Sequence, residues 1–368
     1  MTIKIDLNLE QIQDSLKYNS EICISMVEGA VKGAIHKDQF VYFAAFDGTN
    51  NDNNKKKSVH KPEQQTNVAQ LWEQYGVAMG ETGNGGLHGR YFPGLGTEGK
   101  PFTESWYPAA VTAGVVKTAE DAYKDFSAQA ADWLKDNPDA SVTVALTGFS
   151  RGVASAAIFS QLLYKNGLVD STGKVLIDQG KVMVTAGVLF DPVATGVKGN
   201  MAFPPNVKNC VAIKALNEYR YKFLPIDYSK QADIVTTLRM YGNHCDVGGG
   251  YDNGFGALTL EAATQFLQKS GLPVADVPAG RKHETAPNKF VIHSEQFDEY
   301  HTLDPTDPLN HQLWNVSDEV GWGLYVEGTF RYPDKRLFDE NVEVTPAFGP
   351  DASGRRGFKF YNGDVLKV

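Results

Sequence analysis

Residues 141–157 read Ser-Val-Thr-Val-Ala-Leu-Thr-Gly-Phe-Ser-Arg-Gly-Val-Ala-Ser-Ala-Ala. An alternating, β-prone run leads in, a small-residue, helix-forming run leads out, and Gly148-Phe149-Ser150-Arg151-Gly152 lies between them. A strand, a sharp turn and a helix in that order present a serine hydroxyl above the end of a sheet. Side chains at 148 or 152 would collide with the packed strand or helix, which accounts for the two glycines. Glycine makes up 36 of the 368 residues, so a chance match to this five-residue pattern is expected about 0.2 times in such a chain. The flanking pattern and the partners elsewhere in the chain therefore have to carry the reading.

Other apolar runs read as buried parallel strands separated by helices: 40–46, 142–147, 182–190, 210–216 and 236–241. Val111, Val115, Ala119, Ala122, Phe126, Ala130 and Trp133 recur at helical spacing over 111–134. A second helix is expected over 153–164, stopped by Asn166-Gly167. This alternation predicts an α/β fold with a doubly wound, mostly parallel sheet and helices on both faces. We expect a strand/helix extension over 1–39, with 2–10 an amphipathic strand, then an α/β core over 40–270. The aromatic-rich region 271–368 is expected to complete or cover that core. Segments 50–57 and 79–100 lack periodicity and are expected to be loops at the carboxyl edge, where such sheets bind ligands. Residues 271–288 are likewise expected to be irregular.

Ser150 is the candidate nucleophile. A serine hydroxyl is a poor one at neutral pH, so it needs a base and a group to orient that base. Behind such an elbow the acid and then the histidine follow in chain order. Asp191 ends the next strand, in Phe190-Asp191-Pro192, and His244 ends the last strong strand, in Gly242-Asn243-His244-Cys245-Asp246. His293 competes for the role of base, since it follows a β-prone triplet. Asp246 is either an alternative acid or the cap of its loop. The oxyanion hole needs two backbone N–H groups. One is expected from Arg151 and the other from Gly48 or Thr49, in a loop oriented by Asp47. A rival reading makes Asp47, Asp52 and the neighbouring asparagines a hard-cation site, but their spacing matches no known loop. Cys245 reads as a buried thiol. No metal or cofactor is expected.

The formal net charge of −9 argues against nucleic acid, whose binding needs concentrated Lys and Arg. Cys23, Cys210 and Cys245 form neither a disulfide framework nor a zinc pattern. No apolar stretch reaches the roughly 20 residues of a membrane span, and no basic-then-apolar leader opens the chain. The expectation is synthesis in a cytoplasm without a Sec-type signal and with no transmembrane segment.

Taken together, these stretches resemble the α/β-hydrolase domain of the type VI secretion phospholipase effectors, a family long of unknown function. The matching pieces are Phe46-Asp47-Gly48-Thr49-Asn50, Thr66-Asn67-Val68, Tyr91 to Thr97, Gly148 to Gly152, Phe190 to Val193, Asn217 to Arg220 and His244 to Tyr251. A fainter echo lies at Ile292-His293-Ser294. Pro192 stands where the family usually has Thr, and Cys245 where it often has Ser. The resemblance implies a serine esterase acting on glycerophospholipids at a membrane surface, with Ser150 as nucleophile and Asp191 as acid. His244 is preferred to His293 as the base. It also implies an antibacterial effector secreted into a target cell, with a cognate immunity protein and a secretion-apparatus component as partners. The alternatives are a soluble carboxylesterase for a non-lipid ester, and a hydrolase-fold binding module without catalysis.

Overall fold

The computed structural model describes residues 3–5, 9–33, 39–53, 65–82, 85–97, 108–193, 195–216, 218, 223, 226, 228, 231–251, 254–283, 290–294, 313–314 and 325–327. In chain order the elements are β1 (Ile3–Ile5), α1 (Leu9–Gly29), β2 (Gln39–Phe46), α2 (Asn67–Thr82), β3 (Leu87–Phe92), α3 (Pro108–Asp136), β4 (Ser141–Phe149) and α4 (Gly152–Asn166). There follow β5 (Leu168–Val169), β6 (Val175–Ile177), β7 (Met183–Phe190), β8 (Lys198–Asn200), β9 (Cys210–Ala215), β10 (Val235–Met240), α5 (His244–Gly248) and α6 (Gly254–Lys269). Short strands β11 (Ile292–Ser294), β12 (Leu313–Trp314) and β13 (Tyr325–Glu327) complete the set.

Six strands form one sheet in the order β10-β9-β7-β4-β2-β3, and every pairing in it is parallel. Strand β2 shows why its sequence is a continuous apolar run. Phe40, Tyr42, Ala44 and Phe46 enter the core that holds Val115 and Phe126 of α3 and Phe159 of α4. Val41, Phe43 and Ala45 enter the opposite core, with Met26 of α1, Tyr75 of α2 and Phe266 of α6. A strand covered on both faces has no polar side to alternate with. The direction of strand addition reverses between β2 and β4. At such a switch point the chain leaves the carboxyl ends of neighbouring strands in opposite directions and opens a crevice. The loop after β2 and the elbow after β4 both lie there.

The expected doubly wound sheet is present, and its five expected strands fall within two residues of their expected bounds. Two expectations need correction. Residues 2–10 are not one strand: β1 ends at Ile5 and α1 begins at Leu9. The alternation of Ile3, Ile5, Leu7 and Leu9 hid a helix whose Cys23 and Met26 face the core. Residues 79–100 are not one loop, since they contain the end of α2 and the edge strand β3. With a partner on one side among the described residues, β3 tolerates the polar sequence Leu-His-Gly-Arg-Tyr-Phe. Residues 271–283 are irregular apart from a short 3-10 turn, Ala279–Arg281. Residues 54–57 and 284–288, His36, His60, His301, His311 and most of the C-terminal aromatics lie outside the described residues. Among the described residues no helix is long and apolar enough to cross a membrane.

Candidate active site

Ser150 follows the last residue of β4 and adopts φ +55°, left-handed backbone that costs a non-glycine residue about 1–3 kcal/mol. The surroundings hold it there. The Ser150 N–H donates to Phe190 O at 3.0 Å, while Ser150 O accepts from the N–H groups of Val153 and Val193. Gly152 is required by a close approach: a Cβ there would stand 2.4 Å from Phe46 O and 2.6 Å from Asp47 O. The first turn of α4 thereby rests directly on the end of β2.

Asp191 caps β7, the strand beside β4, and is 1% exposed. Its Oδ1 accepts the Ala215 N–H at 2.9 Å, and its Oδ2 lies 2.6 Å from Nδ1 of His244. A carboxylate can only accept, so Nδ1 carries the proton and Nε2 keeps its lone pair for a hydroxyl. His244 opens α5, whose first turn is set by Asn243. The Asn243 side chain accepts from the N–H groups of Cys245 and Asp246, and the Asp246 carboxylate returns to the Asn243 N–H. The His244 N–H donates to Glu218 at 3.3 Å. Its imidazole stacks on Phe149 with ring centres 4.4 Å apart and meets the Phe223 ring edgewise at 4.7 Å. Phe149 immediately precedes Ser150, so the stack ties the imidazole to the elbow. Gly248 leaves room for it, because a Cβ there would lie 2.1 Å from Phe149 Cε2.

Asp47 ends β2 and is buried. The Gly48 N–H donates to its Oδ1 at 2.7 Å. Its Oδ2 accepts from the Thr66 hydroxyl at 2.7 Å and the Tyr91 hydroxyl at 2.6 Å. Burial raises its pKa to about 6 against the opposing pull of these three donors. The loop is therefore oriented by the Asp47 carboxylate, as expected, but the Gly48 N–H is already committed to that carboxylate. The Thr49 N–H, by contrast, donates to no described residue. Asp47, Thr49, Gly94, Arg151 and Gly152 line one narrow cleft. The Arg151 side chain is buried, which lowers its pKa to about 10. Among the described residues no group of His, Cys, Asp and Glu could hold a metal ion.

The structure thus gathers Ser150, Arg151, Asp191, His244 and the 47–49 loop at the carboxyl ends of β4, β7, β10 and β2. It pairs the two remaining candidates with each other, and Asp246 also caps the turn that carries His244. His293, on β11, pairs through Nδ1 with Asp246 at 2.7 Å, so each histidine has its own carboxylate. Cys245 is half-buried instead of buried, and it forms no disulfide. Sequence reasoning missed Phe149, Phe223 and Glu218 as neighbours of His244, and Thr66 and Tyr91 as anchors of Asp47. All but Phe223 lie in the motifs quoted above, which was the available signal.

A parallel sheet in this strand order, with a positive-φ serine elbow and a carboxylate–histidine pair at its carboxyl edge, defines an α/β-hydrolase-like protein. No protein-family profile matches the chain, and no curated protein does. Among solved structures, it is similar to an uncharacterized protein from Pseudomonas aeruginosa, at 14% identity and TM-score 0.45 over 75% of this chain and 51% of that one. It is also similar to the Tle1 effector bound to the VgrG spike of the type 6 secretion system, at 20% identity and TM-score 0.42 over 61% and 52%. A third is esterase 2 of Thermogutta terrifontis, at 14% identity and TM-score 0.34 over 67% and 90%. The chain spans about half the length of the first two.

Proposed function

We propose that the protein is a serine esterase in which Ser150 is the nucleophile, His244 the general base and Asp191 the orienting acid. The observation that carries this reading is the 2.6 Å bond between Asp191 and Nδ1 of His244, in an imidazole stacked on the residue next to Ser150. As the Ser150 Oγ attacks the acyl carbonyl, Nε2 of His244 takes its proton. The N–H groups of Arg151 and Thr49 receive the alkoxide oxygen. The C–O bond of the ester then breaks, and the imidazolium returns the proton to the departing alcohol. Water, deprotonated by the same imidazole, attacks the acyl-enzyme and releases the carboxylic acid with Ser150 restored. Asp191 remains ionised throughout.

The substrate class we assign is the acyl ester of glycerophospholipids, and the role that of a type VI effector with an immunity protein and a secretion-apparatus partner. Both rest on the ordered motifs from Phe46 to Tyr251. The catalytic core corresponds to 40–270, with 1–39 and 271–368 as its extensions. The test is fatty-acid release from phosphatidylglycerol/phosphatidylethanolamine vesicles, with a monomeric short-chain ester in parallel. Wild type, Ser150→Ala, Asp191→Asn and His244→Ala are compared. Release that disappears in Ser150→Ala supports the reading, and equal release by Ser150→Ala overturns it. Turnover of the monomeric ester alone would leave a soluble carboxylesterase. A fluorophosphonate that fails to label folded wild type would leave a binding module.

A further inference from the structure

We propose that His293 and Asp246 form a positioning pair for His244, a second histidine–carboxylate couple that orients the first. This rests on the esterase reading above. A helix of five residues such as α5 cannot hold its own geometry, so the orientation of His244 must come from side chains that grip its ends. Asp246, 0% exposed, is the principal grip. Its Oδ2 accepts the Asn243 N–H at 3.0 Å and the His293 N–H at 2.8 Å. Its Oδ1 lies 2.7 Å from Nδ1 of His293. Asn243 immediately precedes His244. One carboxylate therefore ties the backbone leading into the proposed base to both the backbone and the ring of His293.

His293 is itself held. Its strand pairs antiparallel with β1, Lys4 opposite His293, and its ring lies 4.3 Å from the Tyr251 ring. Without the Nδ1–H donor, the buried Asp246 carboxylate loses a strong partner in a medium where ionised groups are costly to leave unsatisfied. It would turn toward other donors and slacken its hold on the Asn243 N–H. The pair acts through the backbone that precedes His244, so the expected consequence is misplacement of Nε2 relative to the Ser150 hydroxyl, not weaker binding. A misplacement of about 1 Å can cost about 100-fold in rate.

The test compares wild type with His293→Ala, His293→Asn, His293→Gln and Ser150→Ala. Readouts are kcat and KM on p-nitrophenyl butyrate, the second-order rate of fluorophosphonate labelling, and the melting temperature. Asn places an amide N–H where Nδ1–H stood, and Gln places it where Nε2 stood. His293→Ala and His293→Gln should lower kcat and the labelling rate about 10- to 100-fold with KM within about twofold. His293→Asn should recover most of the loss. A merely structural histidine would lower the melting temperature in all three and leave the kcat of folded protein alone. Wild-type kcat in His293→Ala, or equal losses in Asn and Gln, overturns the proposal. If His293→Ala does not fold, the Asn–Gln comparison decides. Loss of activity in Ser150→Ala with none in the His293 variants defeats this inference only. Undiminished activity in Ser150→Ala defeats the esterase reading and the inference with it.

Discussion

Asp47 offers a measurement in which one carboxyl can be read against the whole protein. Its pKa rises from 3.8 to about 6 on burial, and a shift of about two units corresponds to about 3 kcal/mol. The sign follows from which state holds the proton more tightly. The native state does, so Asp47 favours folding fully below the unfolded pKa of 3.8, and that contribution is lost as pH rises through about 6. Asp47→Asn cannot titrate. Its own cost is independent of pH, because the two hydroxyls facing Oδ2 are fixed as donors. Thr66 Oγ accepts from the Ala69 N–H and Tyr91 Oη from the Asn53 N–H, so their protons point at residue 47. An amide there leaves at least one donor unmatched, at about 1–3 kcal/mol. Urea unfolding of both proteins from pH 4 to 7.5 cancels every other titrating group. The stability of wild type relative to Asp47→Asn should fall by about 2.4 kcal/mol over that range. A difference that stays flat, or that grows with pH, would refute the assignment of a raised Asp47 and with it the picture of a dry anchor beneath the 47–49 loop.

Three further outcomes are expected. Gly248→Ala puts a methyl 2.1 Å from Phe149 Cε2 and should displace the ring on which His244 stacks, lowering kcat on a soluble ester and costing about 1–3 kcal/mol of stability. In a Phe149→Ala background the same change should add almost nothing, and strict additivity in that double-mutant cycle would contradict the clash. Asn19→Ala removes two buried bonds to the Tyr241 backbone, at 3.1 and 2.8 Å. It should cost about 2–3 kcal/mol in urea unfolding, and a loss under about 0.5 kcal/mol would show that the bonds are not made. Asp191→Asn should keep the fold while reducing kcat about 10⁴-fold, measured with the same soluble ester, and a loss under tenfold would remove Asp191 from the triad.

What was legible in the sequence follows the physics of burial. Strands β2, β4, β7 and β9 lie inside the sheet, and their runs are apolar because both faces are covered. Strand β3 was invisible for the converse reason: at an edge and half-exposed, it mixes His88 and Arg90 with its apolar residues. Ser150 and Asp191 were legible because each ends a buried strand, and the elbow adds its paired glycines. The partners of His244 and His293 were not, since both follow β-prone runs. In space each pairs with a different aspartate. The same holds for Gly48 and Thr49, adjacent in sequence and distinguished by one hydrogen bond to Asp47.

The three proposed catalytic residues are not held equally. Ser150 and Asp191 directly follow β4 and β7, neighbouring inner strands whose register is locked on both sides. His244 follows β10, which among the described residues is an edge strand paired with β9. Its constraint comes from segments distant in sequence. Asn19 of α1 clamps Tyr241, Asn67 of α2 donates to Val247 O at 3.1 Å, Glu218 accepts from the His244 N–H, and His293 grips Asp246. An edge strand gains rigidity only from what covers it. Substitutions in these outlying groups should therefore reach the base before they reach the nucleophile, slowing proton transfer from Ser150 in a protein whose sheet is unchanged.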